Sequence, residues 1–206
     1  MKKMFYDLET TGLDKVVNGI HQISGCIEID GEVVEYFNYK VRPKDTAVYD
    51  QGALDTVRIT EAEMRQYPPM AEVYKQFTDM LSKYVNKFDS KDKFFLVGFN
   101  NAGFDNPFFR QWFEENGDKY FGSWFWANSL DVFILATEFL LDQRQSMKDF
   151  KLMTVARQLG MEIDESKLHD AVYDIELTRS VYRIVSNRAQ PKPTPTIVKQ
   201  LEDLPF

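Results

Sequence analysis

Phe5-Tyr6-Asp7-Leu8-Glu9-Thr10-Thr11-Gly12-Leu13 is the stretch that decides the fold of this chain. Side chains alternate along a strand, so Asp7 and Glu9 share one face while Tyr6 and Leu8 share the other. Two carboxylates on a half-buried face repel each other and lose hydration unless a cation lies between them. Because Mg²⁺ and Mn²⁺ prefer oxygen ligands, the pair predicts a metal site at the end of an N-terminal strand.

The spacing of this pair is not decisive by itself. Acidic chains repeat it by chance, and Glu28-Ile29-Asp30 has the same spacing. There we expect only a lead into a turn. The interpretation of Asp7 and Glu9 therefore depends on the motifs that the rest of the chain supplies.

Composition limits the class of protein. The chain has 206 residues, 44% hydrophobic and 15% aromatic, which predicts one domain followed by a tail. The single cysteine, Cys26, lies in an apolar run, which favours a core position and a reducing cytoplasm. No apolar run approaches the ~20 residues that span a bilayer, so we expect a cytoplasmic protein with no membrane partner. The net charge of -7 argues against a broad grip on duplex DNA, although not against a nuclease that holds a few nucleotides through metal ions.

The hydrophobic pattern predicts an α/β sheet that begins as a meander. Ile20 to Ile29 and Glu32 to Val41 have the character of two strands joined by a tight turn at Asp30-Gly31. Phe94 to Phe99 is continuously apolar, as in a central strand that is buried on both faces. A further strand is expected from Phe125 to Ser129.

Helices are predicted between and after these strands. A capping box at Thr60 begins a short one, and Asp131 caps a buried helix that runs to Leu141. Two amphipathic helices are defined by apolar residues at three- and four-residue spacing. Their apolar positions are Val73, Phe77, Met80, Leu81, Tyr84 and Phe88 in the first, and Phe150, Leu152, Val155, Ala156 and Leu159, followed by Gly160, in the second.

A second informative motif follows the predicted central strand. Asn100-Asn101-Ala102-Gly103-Phe104-Asp105-Asn106-Pro107-Phe108-Phe109 reads as a strand end, a turn and then a helix with Asn106 as its cap and Pro107 at its first position. Asp105 thus lies at a strand-to-helix junction, where open α/β sheets place their sites. The alternative is that Asp105 only caps the helix.

A third motif, His169-Asp170-Ala171-Val172-Tyr173-Asp174, opens a final helix. Its apolar positions Val172, Ile175, Tyr182 and Val185 are expected to face inward. In a helix, His169 and Asp174 would point about 140° apart, so we expect His169 on the loop just before it. A lone loop histidine is usually only solvated, but the nearby Asp174 favours a functional role for His169. The other histidine, His21, lies in a strand and favours a structural role.

The composition changes at Asn187. Alternate prolines in Gln190-Pro191-Lys192-Pro193-Thr194-Pro195-Thr196 predict a stiff extended linker of about 3.1 Å per residue. We therefore divide the chain into a domain at 1–186, a linker at 187–199 and a C-terminal peptide at 200–206.

The three motifs together resemble those of the DEDDh exonuclease family, which includes bacterial proofreading exonuclease subunits, ribonuclease T and oligoribonuclease. The resemblance rests on Asp7-Leu8-Glu9-Thr10-Thr11-Gly12, on Asn101-Ala102-Gly103-Phe104-Asp105, and on His169-Asp170-Ala171 with Asp174. They occur in the family's order and spacing. Two departures are Asn100, where many relatives have histidine, and Arg58, where a small residue is usual.

The resemblance implies a ribonuclease H-like fold, with a mixed five-stranded sheet flanked by helices, and hydrolysis that uses two Mg²⁺ or Mn²⁺ ions. It implies that Asp7 bridges the ions, that Glu9 and Asp174 bind one and that Asp105 binds the other. His169 would act as the general base. The product would be a nucleoside 5′-monophosphate.

The resemblance further implies a 3′–5′ exonuclease acting on single-stranded ends, in DNA replication or repair. Substrate contacts are expected from Thr10, Thr11, Gly12, Asn101 and Phe104, with Phe104 stacking on the terminal base, whereas Phe108 and Trp112 favour core positions. Spacing does not separate DNA from RNA, so an exoribonuclease is the alternative, and the tail favours DNA. A non-catalytic adaptor is the remote alternative.

The C-terminal peptide resembles two docking peptides. Glu202-Asp203-Leu204-Pro205-Phe206 is similar to the acidic tip of bacterial single-stranded DNA-binding protein. Gln200-Leu201 with Leu204 and Phe206 is similar to a sliding-clamp-binding peptide, stretched by one residue. The partner-binding residues expected are Gln200, Asp203, Leu204, Pro205 and Phe206, and the alternative is a simple disordered tail.

Overall fold

One mixed sheet forms the centre of the computed structural model, which describes residues 1–164 and 171–186. Within these ranges the strands are β1 (Lys2–Thr10), β2 (Ile20–Ile29), β3 (Glu32–Lys40), β4 (Phe95–Gly98) and β5 (Leu130–Asp131). β2 pairs antiparallel with β1 and with β3, whereas β4 pairs parallel with β1 and with β5, giving the order β3-β2-β1-β4-β5. The predicted mixed five-stranded sheet is confirmed.

The β2–β3 turn has the geometry that its sequence predicts. Asp30 has a φ of 53° and Gly31 a φ of 95°. Two consecutive positive φ values define the hairpin turn that Asp-Gly favours, because this turn matches the twist of the strands. The turn fixes the register of β2 on β3, so the meander follows from local chemistry.

The helices cover both faces of the sheet. The capping box of α2 is present, because the Thr60 hydroxyl accepts from the Glu63 N–H and the Glu63 carboxylate accepts from the Thr60 N–H. A 3₁₀ turn at Leu141–Ser146 links α6 to α7. The helices are α1 (Gln51–Val57), α2 (Glu61–Met64), α3 (Met70–Ser82), α4 (Asp105–Glu115), α5 (Phe121–Trp124), α6 (Val132–Phe139), α7 (Leu152–Gln158) and α8 (Ala171–Ser186).

The alternation of β1 separates two hydrophobic cores. Tyr6 and Leu8 point into a core shared with α3 and α4, where Trp112 is also buried. Phe5 points into the other core, which is shared with α6, α7 and α8 and includes Cys26. Asp7 and Glu9 have the parity of Phe5, so they lie on the face that α8 covers.

Two predicted element boundaries are wrong. Phe125 makes only an isolated bridge to Phe94, and the fifth strand begins at Leu130. The helix after the second motif begins at Asp105, with Phe104 at its N-cap position. Asn106 does not cap it, because its side chain instead accepts a hydrogen bond from the Tyr6 hydroxyl of β1.

Two apolar residues do not pack as predicted. Phe88 is 88% exposed and lies beyond the end of α3, and Val172 in the first turn of α8 is 47% exposed. Periodicity extended both apolar stripes past the part of the helix that contacts the sheet.

None of the helices in the described ranges combines the length and the apolar character that a bilayer span requires.

Candidate active site

The end of β1 leaves one backbone edge open, and Asp105 occupies it. Pairing between β1 and β4 extends from Lys3 to Phe5, so β4 supplies no partner beyond that point. The Leu8 N–H donates instead to Asp105 Oδ1, at 3.1 Å. Because Leu8 lies between Asp7 and Glu9, this hydrogen bond brings the acid of the second motif to the acids of the first. Asp105 is 5% exposed.

A buried carboxylate, Asp131, holds the turn that carries Asp105 to this position. It accepts from the N–H groups of Asn100 at 2.9 Å and Ala102 at 3.0 Å, and it caps α6 by accepting from Phe133 at 2.9 Å. Asn100 is in the left-handed region, with a φ of 64°. The geometry of the turn between β4 and α4 is therefore fixed by a side chain that is distant in the sequence.

Asp174 completes the group from the first turn of α8. It shares with Asp7 a cleft of about 270 Å³ that lies between α8 and the start of α7. The other residues that line the cleft are Phe99, Lys151, Leu152, Met153 and Thr178. The structure thus brings Asp7, Glu9, Asp105 and Asp174, from three separated motifs, to the carboxyl end of β1.

Electrostatic repulsion within this acid cluster (Asp7, Glu9, Asp105 and Asp174) is evident from the pKa values. Burial raises the pKa of Asp7 well above its ordinary value, and the neighbouring charges of Asp105, Glu9 and Asp174 raise it further. Burial also raises the pKa of Asp105 to about 7, although hydrogen bonds from the Leu8 and Asp105 N–H groups oppose the rise. The charges of Asp105, Glu9 and Asp174 therefore all oppose the ionisation of Asp7.

The donor set of the cluster fits a divalent cation, because carboxylate oxygens are the ligands that Mg²⁺ and Mn²⁺ prefer. A cation would also relieve the repulsion that raises the pKa values of Asp7 and Asp105. Within residues 1–164 and 171–186, no three Asp, Glu, His or Cys side chains are grouped closely enough to hold an ion as they stand. The four acids therefore fit a divalent cation by the chemistry of their side chains and by their location at the end of β1.

A second cleft, of about 250 Å³, lies beside Glu9. It is lined by polar residues of the same sheet face, Gln22, Asn38 and Lys40, and by α1 and the segment after it. Lys40 Nζ donates to Gln22 Oε1, and Gln22 Nε2 donates to Asn38 Oδ1 at 2.8 Å. Glu9 thus lines this cleft, whereas Asp7 and Asp174 line the other.

Sequence reasoning missed the two lysines of these clefts. Lys151 lies in the cleft of Asp7 and Asp174, and Lys40 lies in the cleft of Glu9. Neither belongs to a motif with a recognisable spacing. Only the tertiary fold, in which Lys151 precedes α7 and Lys40 ends β3, makes them neighbours of the acids.

Thr10, at the end of β1, and Thr11, which follows it, use their hydroxyl groups in local hydrogen bonds. The Thr10 hydroxyl donates to the Gly12 carbonyl at 2.7 Å. The Thr11 hydroxyl donates to the Val48 carbonyl at 2.6 Å and accepts from the Gly19 N–H at 3.0 Å. A Cβ atom at Gly12 would stand 2.1 Å from Asp50 Oδ2. The three residues thus shape the loop beside the cluster.

The other two predicted substrate residues differ in exposure. Asn101 is 0% exposed, and neither the oxygen nor the nitrogen of its side-chain amide has a hydrogen-bond partner among the described residues. Phe104 is half-buried, with its ring centroid 5.1 Å from that of Phe108. Phe108 and Trp112 are buried, as predicted. Of the two, only Phe104 presents side-chain surface at the site.

His21 is excluded as a general base by its environment. It is 0% exposed, and burial lowers its pKa to about 4, with a further contribution from Lys40. The predicted base, His169, lies outside the described residues. The linker at 187–199 and the predicted partner-binding residues Gln200, Asp203, Leu204, Pro205 and Phe206 also lie outside them. All of these stay predictions.

Comparison with known proteins identifies the family. The model of a family described as Exonuclease matches residues 4–182. The chain belongs to this exonuclease family. Since the matched region contains Asp7, Glu9, Asp105, His169 and Asp174, the predicted membership of the DEDDh type is confirmed.

Curated relatives of this exonuclease domain are much longer proteins. It is 27% identical over 174 residues to the PolC-type DNA polymerase III of Oceanobacillus iheyensis and 25% identical over 173 residues to that of Bacillus cereus. Each alignment covers 84% of this chain and 10% of the relative. The chain thus spans about a tenth of the length of these relatives.

Solved structures share the fold of this exonuclease domain. E. coli exonuclease I in complex with a dT13 oligonucleotide has a TM-score of 0.72 and 22% identity, over 91% of this chain and 41% of that one. A structure of single-stranded DNA-binding protein and exonuclease I with an inhibitor has a TM-score of 0.68 and 20% identity, over 89% of this chain and 41% of that one. The likeness confirms the predicted ribonuclease H-like sheet.

Proposed function

We propose that the chain is a metal-dependent 3′–5′ exonuclease that releases nucleoside 5′-monophosphates from single-stranded DNA ends in replication or repair. The observation that carries the proposal is the acid cluster at the end of β1, in which burial and neighbouring acids from three separated motifs raise the pKa of Asp7, and burial raises the pKa of Asp105. Such repulsion lowers the stability of the folded protein, and a bound cation would offset it. Strongly shifted pKa values of this kind are typical of functional sites.

Asp7, Glu9, Asp105 and Asp174 would hold two Mg²⁺ or Mn²⁺ ions, with Asp7 shared between them. When bound, the ions supply a water of lowered pKa and neutralise the leaving oxygen of an in-line displacement. His169 would take the proton of the attacking water, because an imidazole has a pKa near neutral. The hydrogen bond from the Leu8 N–H holds the Asp105 carboxylate beside the acids of β1.

Two residues with exposed side-chain surface would hold the nucleic acid. Phe104, which rests on Phe108, would stack on the terminal base, a contact typically worth about 1 to 3 kcal/mol. Lys151, in the cleft of Asp7 and Asp174, would contact a phosphate. Thr10, Thr11, Gly12 and Asn101 would act through the shape of the loops that border the site.

DNA is favoured over RNA as the substrate. The curated relatives are DNA polymerases, and the solved structure of exonuclease I contains a DNA oligonucleotide. An exoribonuclease is the second candidate, because the spacing of the motifs does not separate DNA from RNA.

A degradation assay tests the proposal. A single-stranded DNA and an RNA of equal sequence, each labelled at the 5′ end, would be incubated with Mg²⁺, with Mn²⁺ or with EDTA. We expect stepwise shortening of the labelled DNA from its 3′ end, release of nucleoside 5′-monophosphates, and no reaction in EDTA. Shortening of RNA alone would favour the exoribonuclease, and no hydrolysis of either strand would favour the adaptor.

The C-terminal peptide would recruit the enzyme to replication or repair sites. A tip-like mode needs the terminal carboxylate of Phe206 in a basic pocket, whereas a clamp-like mode depends on Gln200 and tolerates added residues. We favour the tip-like mode, with proteins that recognise the tip of single-stranded DNA-binding protein as partners. Adding one glycine after Phe206 should then abolish binding in a pull-down, and Gln200→Ala should not. The reverse pattern would favour the sliding clamp.

A further inference from the structure

A second group of charges lies on the same sheet face as the acid cluster. Arg179 of α8 is 4% exposed. Its Nη2 donates to Glu28 Oε2 at 2.9 Å, and its Nη1 lies 2.6 and 2.7 Å from the two oxygens of Glu176. Lys3 Nζ donates to Glu28 at 2.8 Å, and the Tyr36 hydroxyl donates to Glu176 at 2.6 Å. We call Lys3, Glu28, Tyr36, Glu176 and Arg179 the Arg179 network.

The Arg179 network joins one helix to three strands. Lys3, Glu28 and Tyr36 belong to β1, β2 and β3, whereas Glu176 and Arg179 belong to α8. The guanidinium also lies 5.6 Å from the ring of Phe5. Each acid of the network, Glu28 and Glu176, accepts hydrogen bonds from neighbouring donors. Its negative charge is therefore stabilised, whereas in the acid cluster the neighbouring carboxylates repel Asp7.

Stability alone does not account for burying these charges. Desolvation of an arginine and a glutamate costs about as much as their attraction returns, and apolar replacements of similar volume are often as stable. Apolar side chains of α8, including Ile175, Val181 and Val185, already pack in the second core. Such contacts leave the position of a helix along its axis weakly defined, whereas hydrogen-bonded charges accept only one position.

The axial position of α8 matters because Asp174 lies on the same helix. Asp174 precedes Glu176 by two residues and Arg179 by five, and a helix rises 1.5 Å per residue. A slip of one turn would move Asp174 by about 5.4 Å relative to Asp7 on β1, which is more than a metal–oxygen bond length of about 2 Å.

We propose that the Arg179 network is a positioning device, which fixes α8 on the sheet so that Asp174 and Asp7 can share a cation. The inference rests on the proposed function, in which both acids are metal ligands. The members of the network touch neither the substrate nor the ions. They act by setting the distance between the two acids.

The test compares metal affinity with stability. In Glu28→Gln/Arg179→Met both buried charges are removed together, so the melting temperature should stay within about 5 °C of that of the wild type. We expect the Mn²⁺ concentration that gives half of the full thermal stabilisation to rise at least about tenfold, because Asp174 no longer stands in one place. Turnover at saturating Mn²⁺ should fall by less than about threefold.

Two further variants complete the design. Arg179→Lys keeps a charge but loses the planar fork, and should raise the half-saturating Mn²⁺ concentration by a smaller factor. Lys83→Met removes an ion pair of 2.9 Å with Glu35, between the residue after α3 and β3, and neither of these elements carries a cluster acid. It should leave Mn²⁺ binding unchanged.

An unchanged half-saturating concentration in the folded double variant would overturn the inference. If that variant does not fold, an unchanged concentration in Arg179→Lys would overturn it equally. A wild type that gains no stability from Mn²⁺ and degrades no strand would refute the proposed function and this inference with it. That result differs from an unchanged Mn²⁺ affinity in the variants, which would refute the inference alone.

Discussion

Two acid pairs of the same spacing, Asp7-Leu8-Glu9 and Glu28-Ile29-Asp30, have opposite environments. Glu28 is 3% exposed and lies opposite Lys3 in the β1–β2 ladder. Burial raises its pKa, but hydrogen bonds from Lys3 and Arg179 more than offset this, so the pKa lies below its ordinary value. Asp30 lies in the exposed turn and pairs with the N-terminal amine. At Asp7 the burial and the neighbouring acids act in the same direction and raise the pKa.

We propose that the difference separates a structural acid, Glu28, from a metal-binding one, Asp7. Lys3 and Asp7 are four residues apart on one face of β1, so the two environments are only about 13 Å apart. At one end of the strand, the buried carboxylate of Glu28 is paired with the side chains of Lys3 and Arg179. At the other end, carboxylates come together, and the pKa values of Asp7 and Asp105 are raised. The second environment therefore fits a divalent cation, whereas the charge of Glu28 is already compensated by side chains.

The largest expected effect is on activity. Asp7→Asn should lower turnover by about 10³-fold or more, because Asp7 is the acid that the proposal shares between both ions. The structure should remain folded, since asparagine has the same shape. Rates from the degradation assay at saturating Mn²⁺, together with circular dichroism, measure both quantities. Retained turnover would remove Asp7 from the proposed site.

The next effect is on stability at the structural acid. Glu28→Ala leaves Arg179 with Glu176 alone and should lower the free energy of unfolding by about 3 kcal/mol. Urea denaturation monitored by fluorescence measures it. A loss below about 0.5 kcal/mol would show that the buried pair is not a structural contact.

The third effect is a gain in stability instead of a loss, and it is expected at Asp105, an acid of the proposed metal site. In the metal-free protein the pKa of Asp105 is raised from 3.8 to about 7. The stability that this group contributes is fully present below about pH 4 and is lost as the pH rises through 7, because the folded state then gives up a proton it had kept. Asp105→Asn can still accept from the Leu8 N–H, and in EDTA near pH 8 it should be about 1 kcal/mol more stable than the wild type.

The pH dependence supplies the control for this third prediction. The gain should vanish near pH 4, where Asp105 is protonated and already resembles the amide. Thermal melts in EDTA across this range would measure it. A variant that is less stable than the wild type at every pH would show that the Asp105 charge is not repelled.

The smallest effect is expected at an exposed acid. Asp79 pairs with Lys75 one turn away in α3, and their side chains are 63% and 75% exposed. Because solvent screens such a pair, Asp79→Asn should change the melting temperature by less than about 2 °C. A shift as large as that of Glu28→Ala would mean that burial is not what distinguishes the structural pair.

Local chemistry predicted most of the fold. The Asp30-Gly31 turn, the Thr60 capping box and the Asp131 cap were identifiable because each depends on residues within a few positions of one another. The alternation of β1 placed Asp7 and Glu9 on one face for the same reason. The predicted strand from Phe125 to Ser129 was wrong, because pairing with β4 is decided by distant contacts.

The site was predicted in part. The acids at Asp7, Glu9, Asp105 and Asp174 belong to motifs with fixed spacing, and folding brings them together. The hydrogen bond from the Leu8 N–H to Asp105, the entry of Lys151 into the cleft and the pairing of Arg179 with Glu28 join residues far apart in the chain. No local pattern encodes such contacts, so the sequence did not reveal them.

Calorimetric titration of Mn²⁺ into the metal-free wild type, beside Asp174→Asn, tests the central claim most directly. The account predicts saturable binding of two ions per chain, with release of protons because the pKa values of Asp7 and Asp105 are raised. It predicts that Asp174→Asn loses at least one of the two ions. Binding in Asp174→Asn equal to that of the wild type, or no saturable binding by the wild type, would contradict the assignment of the acid cluster as a metal site.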